Sequence, residues 1–256
     1  MNRRRILQLA TAAIGGCSLS ACSLPRSTAR PKSKQRIRAI CFDIFTMFDP
    51  RSVVRVAEAL LPGRGADLCA AWRTRQFEYS WIRTAGQRYA DFRAVTEQSL
   101  VFASRERGLT LSAEQHRKLV EAYSELEPWP DTQSTLRAWK ASGLRLAPLS
   151  NYSPSMLERV VSNAGLSDVF ETLISTDAVK SFKPDPRAYA LGPSTLHLER
   201  EEIAFAAFAG WDAAGAKWFG FPTFWVNRLG APPEELSPPP DATGPSLAEL
   251  GSFVTS

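Results

Sequence analysis

From Leu144 to Asn227 the chain alternates short apolar runs with amphipathic stretches, and that alternation leaves few architectures open. LRLAPLSN, LISTDAV, IAFAAFAG and PTFWVN read as buried strands, and SMLERVVSNAG, PRAYALGPSTL and AAGAKWFG between them read as helices. Strands that alternate with helices pair side by side in a parallel sheet, because each crossover helix needs a sheet face to cover its apolar stripe. IRAICFDIF, residues 37–45, supplies one more strand, short and apolar. Between it and the alternating region, VVRVAEALL, LCAAWRTRQFEYSWIR, FRAVTEQSLVFASRER and SAEQHRKLVEAYSEL repeat apolar residues every three or four positions and predict helices. WPDTQ opens another helix over Thr132–Ala141, with Asp131 as its expected N-cap. The predicted fold class is α/β: a Rossmann-like parallel sheet core, residues 37–52 and 130–256, with a helical cap, residues 53–129, inserted after the first strand. The Pro-rich APPEELSPPPDATGP near the C-terminus reads as an irregular surface segment.

The first residues are a different material. MNRRRILQLATAAIGGCSLSAC joins three arginines to an apolar stretch and then to small residues, the outline of an export signal over residues 1–22. NRRRILQ is similar to a twin-arginine export motif, although a basic start also suits the general secretion route. LSAC is similar to a bacterial lipobox, which predicts lipidation of Cys22; IGGC, ending at Cys17, is a second candidate. Plain cleavage without lipid and a retained anchor are the alternatives. The expectation is an exported, periplasmic lipoprotein anchored to the membrane through Cys22.

Net charge then needs to be divided. The formal charge is +5, from 31 basic and 26 acidic residues, but three of the basic residues lie in the signal and six more in or beside a linker over residues 23–36. The globular body keeps 22 basic against 26 acidic residues. No partnership with nucleic acid is expected, since basic residues are not interleaved with aromatics in the RNA-binding manner. A basic tether next to a lipid favours an anionic membrane surface; a solvated linker is the other reading. Cys41 and Cys69 remain in the body, one in a central strand and one in the helical insert, and are expected to stay free thiols.

In open α/β sheets ligands bind beyond the carboxyl ends of the strands. Asp43, Ser150 with Asn151, Lys183 and Asp212 all fall at such ends, and together they outweigh the individual alternatives. Asp43 could cap a turn, but next to the other three it is read as a nucleophile that forms an ester or an acyl phosphate. Lys183, in FKPDPRAY, would keep that carboxylate ionised. Ser150 and Asn151 could hold an anionic oxygen or cap the next helix, a task for which Ser153 competes. Asp212, in GWDAAG, is either a general base or an N-cap. Arg73 lies in AAWRTRQFEYSWIR, where an arginine pointing from the insert into the crevice would bind an anion and one on an amphipathic face would be solvated. The insert leaves the core just after Asp43 and is placed to cover it.

FDIFTMFD, WRTRQFEYSWIRTAGQRYADF, LSNYSP, DAVKSFKPDPRAY and WDAAGAKWFGFPTFWVNR together resemble the L-2-haloacid dehalogenases (type II) of the haloacid dehalogenase superfamily, over roughly residues 37–249. Superfamily phosphatases carry a second Asp two residues after the nucleophile, as an acid for the leaving group. Phe45 stands there in this chain, and a halide leaves as a stable anion that needs no proton. The resemblance implies hydrolytic dehalogenation of short (S)-2-haloalkanoic acids through an aspartyl ester, with no cofactor and no metal. It implies that Asp43 attacks C2 with inversion, that Arg73 takes the halide, and that Ser150, with backbone amides near Ile44, holds the substrate carboxylate. Lys183, helped by Tyr189, would balance charge around Asp43, and Asp212 would prepare water. Phe77, Phe92 and Trp211 would line an apolar pocket, and Thr46 would fill the role of the first motif's threonine. A homodimer is also implied.

Two departures stand out. The family's SSNAWD is AFAGWD here, so a Ser and an Asn become Ala207 and Ala209. The family's DxYGTLFD is shortened to DIFTMFD, with the glycine lost. Loss of polar partners is expected to weaken ester hydrolysis more than ester formation. An impaired member that binds a small carboxylate and a hydrolase for another substrate are therefore the other readings.

Overall fold

A computed structural model of the chain describes residues 36–255. The export signal, Cys22 and nearly all of the basic linker lie outside the described residues. The elements run β1 Ala39–Phe42, α1 Ile44–Met47, β2 Phe48–Asp49, α2 Arg51–Leu60, α3 Gly65–Ala85, α4 Phe92–Glu106, α5 Ala113–Ala122, β3 Glu127–Pro128, α6 Thr132–Ala141 and β4 Arg145–Ser150. They continue with α7 Pro154–Asn163, β5 Ile174–Ser175, α8 Pro186–Leu196, β6 Ile203–Ala207, α9 Gly210–Phe219, β7 Thr223–Val226, β8 Ala242–Gly244 and α10 Leu247–Thr255.

Six strands form one parallel sheet in the order β5-β4-β1-β6-β7-β8. The first strand in sequence is thus internal, with β4 on one side and β6 on the other. Successive side chains of a strand point to opposite faces, and the core divides accordingly. Ile40 and Phe42 of β1 and Ala204 and Ala206 of β6 join one apolar cluster. Ala39 and Cys41 of β1 and Ile203, Phe205 and Ala207 of β6 join the other. Both faces are covered, which is why AICF and IAFAA contain no polar residue. The chain moves from β1 toward β4 and β5, then returns past β1 to β6, so the sheet changes direction around β1. Crevices of α/β sheets form at such a switch.

Helices α2 to α5 lie between β2 and β3, and those two short strands pair antiparallel, Phe48 opposite Pro128 and Asp49 opposite Glu127. The ribbon carries the chain out of the core and back. Cys41 and Cys69 are both free and buried, and burial pushes the Cys41 thiol up to about 12. No helix among the described residues is long and apolar enough to cross a membrane.

Four expectations need correction. The first strand stops at Phe42, because Asp43 caps a helical turn. LISTDAV is a strand only at Ile174–Ser175 and then tightens into a 3-10 turn over Thr176–Val179. The Pro-rich tail is not wholly irregular: Ala242–Gly244 adds the parallel edge strand β8, and α10 follows. Asp131 sits at the start of α6 without capping it; its carboxylate instead accepts from Arg228 Nη1 at 2.9 Å and from the Leu247 N–H at 3.0 Å.

Candidate active site

Asp43 emerges from β1 in extended backbone and caps α1, its Oδ2 accepting the Phe45 N–H at 3.2 Å. A four-residue helix cannot satisfy its own carbonyls, and each one here has found a partner. The Asp43 carbonyl takes the Thr46 hydroxyl at 2.7 Å, and the Ile44 carbonyl takes the Phe48 N–H. The Phe45 carbonyl takes the Trp129 indole at 3.0 Å, and the Met47 carbonyl takes the Thr132 hydroxyl at 2.8 Å. Arg228 donates Nη2 to the Thr46 carbonyl at 2.9 Å while its Nη1 holds Asp131, and its guanidinium lies over the Trp129 ring. The shortened nucleophile loop is therefore pinned from outside by the returning hinge segment and by the arginine after β7.

Lys183 lies between the two acids. Its Nζ donates to Asp43 Oδ1 at 2.8 Å and to Asp212 Oδ2 at 2.8 Å, with only 1% of the lysine exposed. Its loop is tied down by Asn151, whose Oδ1 accepts the Lys183 N–H at 2.9 Å and the Thr176 hydroxyl at 3.3 Å. Burial alone would pull the ammonium pKa down. The two carboxylates outweigh that, and the net shift is upward, so the lysine stays charged.

Asp212 is the third residue of α9, inside its first turn, while the N-cap position belongs to Ala209. The N-cap alternative for Asp212 therefore fails. Its Oδ1 accepts the Tyr189 hydroxyl at 2.7 Å and its Oδ2 accepts Lys183. Burial pushes its pKa up to about 6, with Lys183 opposing and Asp43 adding to the rise. Burial and the neighbouring carboxylates hold the Tyr189 phenol well above its ordinary value, so it remains a donor. Gly215, one turn after Asp212, makes that contact possible, since a Cβ there would stand 2.4 Å from the Tyr189 hydroxyl and 2.8 Å from Pro184 Cβ.

Above Asp43, α3 brings Arg73 into an aromatic frame, its Cζ 5.5 Å from the Phe77 ring centre and 5.7 Å from those of Phe45 and Phe208. Among the described residues no carboxylate pairs with Arg73, which leaves its N–H donors available to an incoming anion. Phe92 stacks on Tyr152, and Trp211 meets Phe77 edge-on. Ser150 Oγ accepts the Tyr152 N–H at 3.1 Å, and its own O–H is left to donate. Neither Ser150 nor Asn151 caps α7; Ser153 holds that position without a side-chain cap bond.

Asp43, Ile44, Arg73, Phe77, Phe92, Ser150, Asn151, Trp211 and Asp212 thus converge on one cleft. Free space inside it is about 20 Å³, enough for roughly one water. Two expected substrate contacts are not on its wall. Thr46 is fully buried with its hydroxyl given to the Asp43 carbonyl, and Tyr189 is buried behind Asp212. Thr46 therefore serves the turn and not the ligand. Three wall residues escaped the sequence reading: Phe45 as a lining ring, Tyr152 and Phe208. The positions of Phe45 inside FDIFTMFD, Tyr152 inside LSNYSP and Phe208 inside AFAGWD, close to assigned polar residues, were the available signal. Arg228 was missed as well; an arginine directly after the apolar strand TFWV was its signal. Among the described residues no group of three or more His, Cys, Asp or Glu side chains is disposed to hold a metal ion.

Known proteins resemble this chain over nearly all the described residues. The profile of the haloacid dehalogenase-like hydrolase family matches residues 37–220. An (S)-2-haloacid dehalogenase of Pseudomonas sp. (strain YL) is 45% identical over 206 residues, covering 80% of this chain and 89% of the relative. A solved L-2-haloacid dehalogenase superposes with a TM-score of 0.84 at 41% identity, over 87% of this chain and all (100%) of its own. The L-2-haloacid dehalogenase of Xanthobacter autotrophicus, solved with chloropropionic acid covalently bound, superposes with a TM-score of 0.80 at 36% identity, covering 86% of this chain and 99% of that one.

Proposed function

The chain belongs to the haloacid dehalogenase-like hydrolases, and from that premise we propose that it hydrolyses (S)-2-haloalkanoic acids to 2-hydroxy acids through an ester on Asp43. The observation that carries this reading is the Asp43–Lys183–Asp212 bridge beneath an unpaired Arg73, with Phe45 where a leaving-group acid would otherwise stand.

The substrate carboxylate is held by the Ser150 hydroxyl and by the Ile44 N–H, which helix geometry leaves without an acceptor inside α1. An Asp43 oxygen attacks C2 from the side opposite the halogen. The C–O bond forms as the carbon–halogen bond breaks, and the halide departs with the bonding pair toward Arg73, whose aromatic frame keeps bulk water away. C2 is inverted in this step. Lys183 holds Asp43 ionised and oriented, and it keeps two carboxylates tolerable side by side. Water then adds to the ester carbonyl carbon of Asp43 while Asp212 accepts its proton, and collapse of the adduct returns the Asp43 carboxylate and the hydroxy acid. The second step does not touch C2, so the inverted centre persists. Net, one water and one haloacid give one hydroxy acid, one halide and one proton.

A second reading, an impaired member that forms the ester and clears it slowly, is favoured by one observation. Ala209 lines the cleft with Asp212 where the resemblance implies an Asn, and Ala207, buried at the end of β6, stands where it implies a Ser; neither side chain can hold water. The test for the leading reading is halide release from (S)- and (R)-2-chloropropionate, with Asp43→Asn as control. Release from the (S) isomer alone, yielding (R)-lactate and lost in the variant, supports it. Equal release from both isomers, or release that persists in Asp43→Asn, overturns it.

We further propose export to the periplasm and anchoring through a lipid on Cys22, supported by the basic start and LSAC at residues 19–22, and a homodimer, supported by family resemblance. Membrane fractionation of Cys22→Ala and Cys17→Ala variants and the mass of the mature protein in solution test these assignments.

A further inference from the structure

The cleft over Asp43 is too small for what it must hold. A space of about 20 Å³ takes roughly one water, whereas even the smallest haloacid brings a carboxylate, a carbon and a halogen. Wall side chains therefore turn when substrate enters, and the direction in which space exists matters. Behind Phe45, Arg73 and Phe77, which line both spaces, lies a second hollow of about 200 Å³ between α2 and α3. Its floor is Val53, Val54, Cys69 and Tyr123, and it opens outward past the exposed Ala66 and Ala70. For scale, a dry cavity of about 150 Å³ lined by aliphatic and phenyl groups accommodates a benzene ring.

Resting on the dehalogenase reading above, we propose that this hollow is the subsite for the C2 substituent and that the chain acts on 2-haloacids carrying an alkyl chain of three to four carbons or a benzyl group. Three observations converge on it. The hollow shares its wall with the reacting cleft. The shared rings, Phe45 and Phe77, are half-buried and lie next to free volume on that side. Its lining is mainly apolar and offers an alkyl chain a favourable transfer from water; of its polar groups, Gln76 is bonded to Thr96 and to Tyr123, and Arg73 is assigned to the halide. A larger hollow also borders the cleft, through Arg73, Phe77, Phe208, Ala209 and Trp211, but it carries Glu234 and Asn227 and suits an approach route better than an alkyl chain.

The experiment is a kcat/KM series with chloroacetate, (S)-2-chloropropionate and (S)-2-chlorohexanoate. Val54→Phe fills the hollow without touching the Asp43 cleft, and Ala66→Leu narrows its mouth from an exposed position as a milder plug. The hollow predicts that chlorohexanoate is used at least as well as chloropropionate. It also predicts that either plug lowers kcat/KM for chlorohexanoate by about tenfold or more, as expected for methylenes denied an apolar pocket, with chloroacetate changed by less than about twofold. Release from chloroacetate but not from chlorohexanoate, or plugs that act equally on all three, overturns the subsite while leaving the dehalogenase reading in place. No release from any of the three overturns both.

Discussion

The two flanks of Asp43 are furnished differently. For the proposed displacement of halide, each task has a candidate side chain: Lys183 at 2.8 Å from Asp43, Arg73 in its aromatic frame, the Ser150 hydroxyl, and a loop whose every carbonyl is held. For the proposed hydrolysis of the ester, Asp212 has the partners Lys183 and Tyr189, but Phe208 and Ala209, which line the cleft with it, place only phenyl and methyl groups there. One chemical step is fully equipped and the other relies on a lone base. Two halves of a double displacement can thus be tuned separately on one scaffold, because their groups come from different strand ends.

The sharpest break of the contrast is Lys183→Met. Removing the cation leaves Asp43 and Asp212 facing each other unneutralised, and first-turnover halide release should fall by about 10²–10⁴-fold. A fall of less than fivefold would show that the bridge is structural. Next in size, Ala209→Asn combined with Ala207→Ser should raise the steady-state rate by about 10²-fold, the usual worth of a correctly held base and water, and leave the first turnover unchanged. An equal gain in both phases would erase the distinction between the flanks.

The pH profile gives a smaller but cleaner signal. Asp212 must be ionised to accept a proton, and its pKa is pushed up to about 6 by burial. Steady-state hydrolysis should therefore be level above that value and drop up to about tenfold per pH unit below it, while the first-turnover halide phase shows no limb from Asp212. Smallest is Gly215→Ala, whose Cβ collides with the Tyr189 hydroxyl and Pro184. Denaturant unfolding should register a loss of about 1–3 kcal/mol, with the steady-state phase slowed more than the first.

Much of this was legible in the residues. Strand-end polar groups and helix periodicity are local signals, and Asp43, Lys183 and Asp212 could be named as candidates from them; the role of Arg73 and the AFAGWD departure came from the family resemblance. Less legible were the groups that act through long-range closure. Arg228 reaches the Thr46 carbonyl across 182 positions of sequence, and no local pattern encodes such a contact. Thr46 was assigned by its letter in the motif, whereas the fold gives its hydroxyl to the Asp43 carbonyl. Asp131 looks like an N-cap by spacing, yet a stronger partner, the Arg228 guanidinium, takes its carboxylate. The edge strand β8 hides inside a Pro-rich segment because its three residues, Ala242–Gly244, contain no proline although prolines flank them closely on both sides.

The most direct measurement is rapid-quench halide release from (S)-2-chloropropionate, followed in the same samples by the intact mass of the protein. An equipped first step and a poorly equipped second step predict a burst approaching one halide per chain, then a slower steady rate. They also predict a mass increase of the dehalogenated acid that maps to Asp43 and decays at the steady rate. Linear release from the first turnover, with no adduct on Asp43, would contradict the contrast between the flanks.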